Sequence, residues 1–207
     1  MLTLNKKRWI TAIAIVLGLL TAYYFFVFNS YKAGIIDVSA SYVSYDNANS
    51  LVDSAELVIV ASPIADFDDR EHDITTYLSG AVEDFSTKTE LKVQNVLKGD
   101  LNEEFLSVIE PISYVQNLDG KQKITREGYV EMQKDHEYLI ALKKNSFGEY
   151  SVINMTNGVF DLNTPETNSS SFTSHNAASD SFSIEEGHEH NLKHEEMRSD
   201  LLNMFNL

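Results

Sequence analysis

The histidines near the C-terminus are the residues in this chain whose types and spacing best suit metal chemistry. His188, His190 and His194 lie within a segment of seven residues. On a helix, His190 and His194 are one turn apart on the same face, and Glu186 lies one turn earlier. Imidazole pairs at this spacing can bind Zn²⁺, Cu²⁺ or Ni²⁺. The alternative is that the histidines lie at the edge of a packed helix face, because the same stripe continues into apolar residues. The sequence leaves metal binding open.

Two more specific metal motifs are incomplete. A zinc protease needs the pattern H-E-x-x-H, but His194 and Glu195 are followed by Arg198 where the second histidine should stand. The acidic run over 66–73 suggests calcium, yet an EF-hand loop needs glycine at its sixth position, where this chain has Glu71. Nucleophile-elbow, phosphate-loop and dinucleotide-binding patterns are also missing. We therefore assign no catalytic residue and predict no cofactor.

The N-terminal segment predicts a membrane-spanning helix. Lys6, Lys7 and Arg8 precede an uncharged apolar run over 9–28. This length is close to the roughly 20 residues needed to cross a bilayer. By the positive-inside rule the basic cluster stays cytoplasmic, which places the chain after it outside the membrane. We therefore expect a single-pass cell-membrane protein with an extracytoplasmic C-terminal domain.

A cleaved signal peptide is the alternative interpretation of the same segment. The apolar run is longer than the usual h-region of about 7–15 residues, and no A-x-A-like cleavage site follows it. Aromatic residues between Tyr23 and Phe28 are typical of the belt at a membrane interface. These features favour a retained signal anchor.

Charge and cysteine content limit the possible partners. The chain has 31 Asp and Glu against 16 Lys and Arg, a net charge of −15, and no cysteine. Such an acidic domain does not bind nucleic acid through phosphates, because that requires a basic face. Its charge either serves solubility or attracts cations and basic peptides. An exported chain without disulfides favours a bacterial cell envelope.

The central part of the chain predicts about six short strands separated by turns, the pattern of a sandwich or closed barrel. A short helix over 46–54 precedes them. Asp119-Gly120 is a strong turn signal for a hairpin within 112–125. The acidic stretch 66–80 is expected to be a loop. The predicted strands are 56–65, 87–97, 105–109, 136–142, 149–154 and 159–162, with the hairpin between the third and the fourth.

These patterns divide the chain into five segments. A stretch rich in Ser, Thr and Asn predicts a flexible linker. After it, a capping box at Ser183 and Glu186 and an apolar stripe from Met197 to Phe205 predict an amphipathic helix. The segments are a basic flank and transmembrane anchor at 1–30, a stalk at 31–45, a β-barrel domain at 46–162, the linker at 163–183 and the C-terminal helix at 184–207.

Three pieces of the chain resemble, in their order and spacing, the netrin-like module of the tissue inhibitors of metalloproteinases. They are 54–61 (SAELVIVA), 91–100 (LKVQNVLKGD) and 137–144 (EYLIALKK). Many exported bacterial proteins of that shape are similar. The resemblance implies a mainly β fold built on a small OB-like closed barrel. The inhibitors act through an N-terminal Cys-x-Cys that chelates zinc, so their activity is not implied for a chain without cysteine.

Two functions of different classes follow. The favoured one is a non-catalytic, membrane-anchored extracytoplasmic module of unknown ligand, with a peptide, saccharide or protein of the cell envelope as its partner. The alternative is an extracytoplasmic metal-binding protein or metal-dependent hydrolase that uses the C-terminal histidines. The position of His190 and His194 discriminates between them, because a metal site needs both side chains near a carboxylate in a pocket.

Overall fold

The computed structural model describes residues 6–163 and 183–207, with side chains for 8–163 and from residue 192 onward. The predicted linker therefore lies almost wholly outside the described residues. The helices are α1 (Lys6–Tyr23), which a π-helical turn (Tyr24–Phe28) continues, α2 (Ala48–Ser54) and α3 (Ser183–Phe205). The strands are β1 (Tyr31–Val38), β2 (Leu57–Pro63), β3 (Glu71–Thr76), β4 (Val82–Lys98), β5 (Phe105–Glu110), β6 (Ile112–Asn117), β7 (Gly120–Arg126), β8 (Tyr138–Lys144), β9 (Tyr150–Val152) and β10 (Val159–Asp161).

Five strands close into a barrel. Around the ring β2 pairs with β4, β4 with β5, β5 with β9, β9 with β8, and β8 with β2. The β5–β9 pair is parallel and the other four are antiparallel. The 17 residues of β4 let this strand pair with β2, β3 and β5 along its length. The predicted mainly β fold, with a closed barrel, an N-terminal apolar helix and a C-terminal helix, is confirmed.

The barrel interior is filled by aliphatic side chains from successive strands. Leu57 and Ile59 of β2, Leu91 of β4, Val108 of β5 and Ile140 of β8 are fully buried in one cluster. Because side chains alternate across a strand, every second residue faces this core. Burying each of these side chains contributes about 1.5–3 kcal/mol.

The stretch 66–80, expected to be a loop, contains strand β3, and that expectation was wrong. β3 pairs with the first half of β4, so that Ile74 lies opposite Phe85. His72 and Ile74 are half-buried, whereas Glu71 and Asp73 are exposed. Because acidic residues occupy the outward positions, the segment has no clear apolar pattern in sequence. Its hydrogen bonds with β4 are what make it a strand.

The stretch 31–45, expected to be a stalk, begins with strand β1. It runs parallel to β7 in a second sheet of three strands, in the order β1–β7–β6. All eight residues of β1 are exposed, so burial periodicity could not reveal it, and backbone pairing with β7 forms the strand. The hairpin predicted around Asp119-Gly120 is present as β6 and β7.

Helices α2 and α3 pack together on the outside of the barrel. Leu51 of α2 and Met197 and Leu201 of α3 are buried with Phe160 of β10 in a second apolar cluster. The side chain of Asn47 accepts a hydrogen bond of 2.9 Å from the amide of Ser50 and caps α2. The C-terminal helix therefore docks on the barrel, and its apolar stripe forms the contact.

Gly120→Ala is expected to lower the free energy of unfolding by about 2–4 kcal/mol. Gly120 has a φ of +129°, which L side chains rarely adopt, and an added Cβ would lie 2.7 Å from the carbonyl oxygen of Ser30. Denaturant unfolding of the full chain in detergent micelles measures the change.

Gly128→Ala is the matched control. Gly128 also has a positive φ, +64°, but an added Cβ there meets no atom within 4 Å. Its cost is expected to stay near the 1–2 kcal/mol of a left-handed residue. Equal losses at the two glycines would contradict the close packing of the hairpin on residue 30.

Candidate functional site

A cleft of about 370 Å³ lies on the outer face of the barrel, beside the start of β4 and beneath the loop 145–149. It continues into a smaller depression of about 280 Å³, which shares Lys88, Ile109 and Glu149 with it. β3 and the end of β7 complete its walls. The charged residues of the cleft are Glu71, Asp73, Asp84, Lys88, Arg126 and Glu149.

The charges in this cleft do not balance. Lys88 lies 3.6 Å from Glu149, and Arg126 forms an ion pair with Asp84. On β3, Glu71 faces Lys88 across the strand pair, whereas Asp73 faces Ser86. The four carboxylates therefore exceed the two cations, and Asp73 has no cationic partner within the described part of the chain. The cleft presents a net negative surface.

The loop over the cleft is organised by one side chain. Oδ1 of Asn145 accepts hydrogen bonds from the amides of Phe147 (2.9 Å) and Glu149 (3.0 Å). The amide of Asn145 donates to the carbonyl of Glu149 at 2.8 Å, which closes the turn. Phe147 is 86% exposed at its tip. An ordered turn thus holds an aromatic ring at the rim of the cleft, available to a ligand.

A buried ion pair fixes the wall of the cleft that β3 forms. Nη1 of Arg70 lies 2.8 Å from Oε1 of Glu110, and the two side chains are 2% and 0% exposed. Arg70 also donates to the carbonyls of Ala65 (3.1 Å) and Met132 (2.6 Å). Since Arg70 directly precedes β3, these bonds tie the strand to the end of β5 and to the loop after β7.

The carboxylate of Glu110 is fully hydrogen-bonded. Oε1 also accepts from the hydroxyl of Thr89, and Oε2 accepts from the hydroxyl of Tyr129 (2.8 Å) and the amide of Met132 (3.0 Å). Burial raises the pKa of Glu110 above its ordinary value, while Arg70 and these donors act in the opposite direction. Burial, and next the charge of Glu110, raise the pKa of Tyr129, which keeps its hydroxyl a donor. The network is closed to solvent, so it positions strands rather than meeting a substrate.

The structure places His194 in the contact between α3 and the barrel. Its ring stacks on Phe160 at 4.7 Å between centroids, and Nδ1 lies 3.1 Å from Oδ1 of Asn157. His188 and His190 have side chains outside the described residues. Among the side chains that are described, no group of three His, Cys, Asp or Glu residues could hold a metal ion. The position of His194 matches the packed-face interpretation.

Sequence reasoning missed the Arg70–Glu110 pair. One signal was present, because Leu106 and Val108 of β5 predict that Glu110 faces inward as well. A charged residue at an inward position needs a buried partner. That partner stands 40 residues away, in a stretch expected to be a loop, so nothing local identified Arg70.

The chain therefore combines a five-stranded closed barrel, an apolar N-terminal helix and an acidic surface cleft. A scan against protein-family models and a search of curated proteins both find no match to this chain.

Proposed function

We propose that this chain is a membrane-anchored extracytoplasmic binding module with an OB-type barrel, and that its acidic cleft takes a basic segment of a cell-envelope peptide or protein. The observation that carries the proposal is the cleft itself. Its net negative charge and the exposed ring of Phe147 lie on one face. A partner that offers cations beside an apolar side chain complements both features.

The strand order supports the OB type. Counted along the chain, the barrel strands β2, β4, β5, β8 and β9 meet in the order first, second, third, fifth, fourth. In OB barrels the loops between strands one and two and between strands four and five border the ligand site. Here those connections are 64–81, which contains β3, and 145–149. Both border the acidic cleft.

The N-terminal helix supports the anchor. Residues Arg8–Phe28 form a 21-residue span that is apolar enough to cross a membrane, and none of it is buried in the protein. At about 1.5 Å per residue the span matches a hydrocarbon core of about 30 Å. The basic residues from Lys6 to Arg8 lie at its start, which favours a cytoplasmic N-terminus. The metal-binding alternative gains no support from the described side chains, and we do not propose it.

Two synthetic peptides of opposite charge test the binding proposal. Fluorescence polarisation of labelled KFKFK and EFEFE peptides is measured against the full chain in nanodiscs. We expect the basic peptide to bind and the acidic one not to bind. Replacing Glu71 and Asp73 together with lysine is expected to weaken binding by about tenfold or more, because like charges then face each other.

The matched control moves the same charge elsewhere. Asp53→Lys combined with Glu56→Lys changes the net charge by the same amount, in α2 and directly before β2, and neither residue lines the cleft or the depression beside it. These variants are expected to retain most of the affinity. If both double variants weaken binding equally, general charge attraction explains the result and the cleft is not the site. Equal binding of the two peptides also overturns the proposal.

A further inference from the structure

The turn between β6 and β7, residues 117–120, meets the outer end of the membrane-spanning helix. The hydroxyl of Tyr23 donates a hydrogen bond to the carbonyl of Leu118. Nε2 of Gln116 donates to the carbonyl of Phe28 at 2.9 Å, and the amide of Lys121 donates to the carbonyl of Ser30 at 2.7 Å. Through these bonds the turn is held at the level of the aromatic end of the helix.

The side chain at the tip of this turn is apolar and unprotected. Leu118 is 80% exposed. Tyr24, Phe25 and Phe26, which follow Tyr23 at the end of the helix, are also exposed. Aromatic residues in this position lie among lipid headgroups, where an apolar side chain gains from leaving water. The exposure of Leu118 therefore has a ready explanation if the turn reaches the bilayer interface.

The charges around the turn favour the same surface. Lys32 follows the helix and pairs with Asp119 of the turn at 2.5 Å, and Lys123 of β7 pairs with Glu131. Lys121, the residue of β7 that directly follows the turn, has no ion-pair partner within the described part of the chain, and its ammonium lies 5.3 Å from the centre of the Tyr31 ring. The turn in an otherwise acidic domain therefore has its one carboxylate paired and a single unpaired cation beside it, which anionic headgroups attract.

We propose that the β6–β7 turn is a second membrane contact, in which Leu118 enters the interfacial layer of the outer leaflet beside the anchor. The occupant of this surface is the lipid bilayer, since the turn is continuous with the membrane-spanning helix. The proposal rests on the anchor in the proposed function. Two contacts, rather than one helix, then set the orientation of the barrel.

This orientation directs the acidic cleft away from the membrane. Arg126, which lines the cleft, is six residues along β7 from Gly120. At about 3.4 Å per residue it lies about 20 Å from the tip of the turn. The loop with Phe147 borders the same cleft. A partner can therefore approach Phe147 from the extracytoplasmic side without contacting lipid.

A single-tryptophan reporter tests the contact. Trp9 is the one tryptophan of the chain, so Trp9→Phe followed by Leu118→Trp leaves a reporter at the turn. The full chain is reconstituted into vesicles of phosphatidylglycerol and phosphatidylcholine that carry bromine high on the acyl chains. We expect most of the emission to be lost relative to vesicles without bromine. Phe147→Trp in the same background is the matched control and is expected to keep its emission.

Flotation of the vesicles separates the two proposals. A chain that does not float with the vesicles contradicts the anchor. A chain that floats while Leu118→Trp is no more quenched than Phe147→Trp overturns the membrane contact alone. Circular dichroism checks that the barrel is intact in both variants, and we expect no change because both positions are exposed. Leu118→Asp provides a second measurement and is expected to increase deuterium exchange of the β6–β7 amides in vesicles.

Discussion

Glu110→Ala is expected to lower the free energy of unfolding by about 3–5 kcal/mol, because it leaves the guanidinium of Arg70 buried without its carboxylate. The two groups are 2.8 Å apart and closed to solvent. The substitution also removes the acceptor of Tyr129 and of the amide of Met132. Denaturant unfolding of the full chain in detergent micelles, followed by near-ultraviolet circular dichroism, measures the loss.

An exposed ion pair gives the matched control. Glu104 lies 3.8 Å from Lys92, with both side chains largely in solvent. Glu104→Ala is expected to change the free energy of unfolding by less than about 1 kcal/mol. Equal losses for the two substitutions would contradict the account of the buried network.

A double variant separates the charge from the packing. Arg70→Met combined with Glu110→Leu removes both charges and keeps apolar volume. Because no uncompensated charge remains, the double variant is expected to be more stable than Glu110→Ala alone. Since Arg70 precedes β3, Glu110→Ala is also expected to weaken binding of the basic peptide at the cleft. A stable Glu110→Ala protein with unchanged binding would show that the pair does not position β3.

Phe160→Ala is expected to cost about 3–5 kcal/mol and to release α3 from the barrel. Phe160 is 1% exposed, and the ring of His194 stacks on it. Met197 and Leu201 of α3 belong to the same buried cluster. Removing the ring leaves a cavity between β10 and the helix. Denaturant unfolding measures the stability, and limited proteolysis measures cleavage within residues 192–205.

The control for this prediction is the same substitution at an exposed position. Phe147→Ala removes a ring that is 86% exposed, so stability is expected to change by no more than about 0.5 kcal/mol. Proteolysis of α3 should also stay at the wild-type rate. If Phe160→Ala leaves α3 as resistant as in the wild type, the helix does not depend on this contact.

Glu110 and Phe160 both make buried contacts between segments of the domain. The Arg70–Glu110 network holds the wall of the cleft formed by β3, and Phe160 of β10 holds the C-terminal helix against the barrel. Both contacts join segments that are far apart in sequence. Losing either one is therefore expected to change how whole segments pack, rather than to remove one contact alone.

Local sequence pattern was enough to predict most elements. The apolar run over 9–28 predicted α1, because a long uncharged stretch has few other stable environments. Asp119-Gly120 predicted the β6–β7 hairpin, because a tight turn needs a residue that tolerates positive φ. A short apolar run rich in β-branched residues predicted β2, and the alternation around Leu91 and Val93 predicted β4. These signals depend on near neighbours alone.

The tertiary structure decided what depends on distant partners. β1 and β3 have weak patterns of their own and exist because β7 and β4 supply their hydrogen bonds. Glu110 is neutralised by a cation 40 residues away, and the cleft forms where β3, β4, β5 and the loop 145–149 meet. In sequence, His194 fitted either a metal site or the edge of a packed helix face, and the fold packs its ring on Phe160. Pairing, burial and charge balance are properties of the folded chain, because each requires groups that only folding brings together.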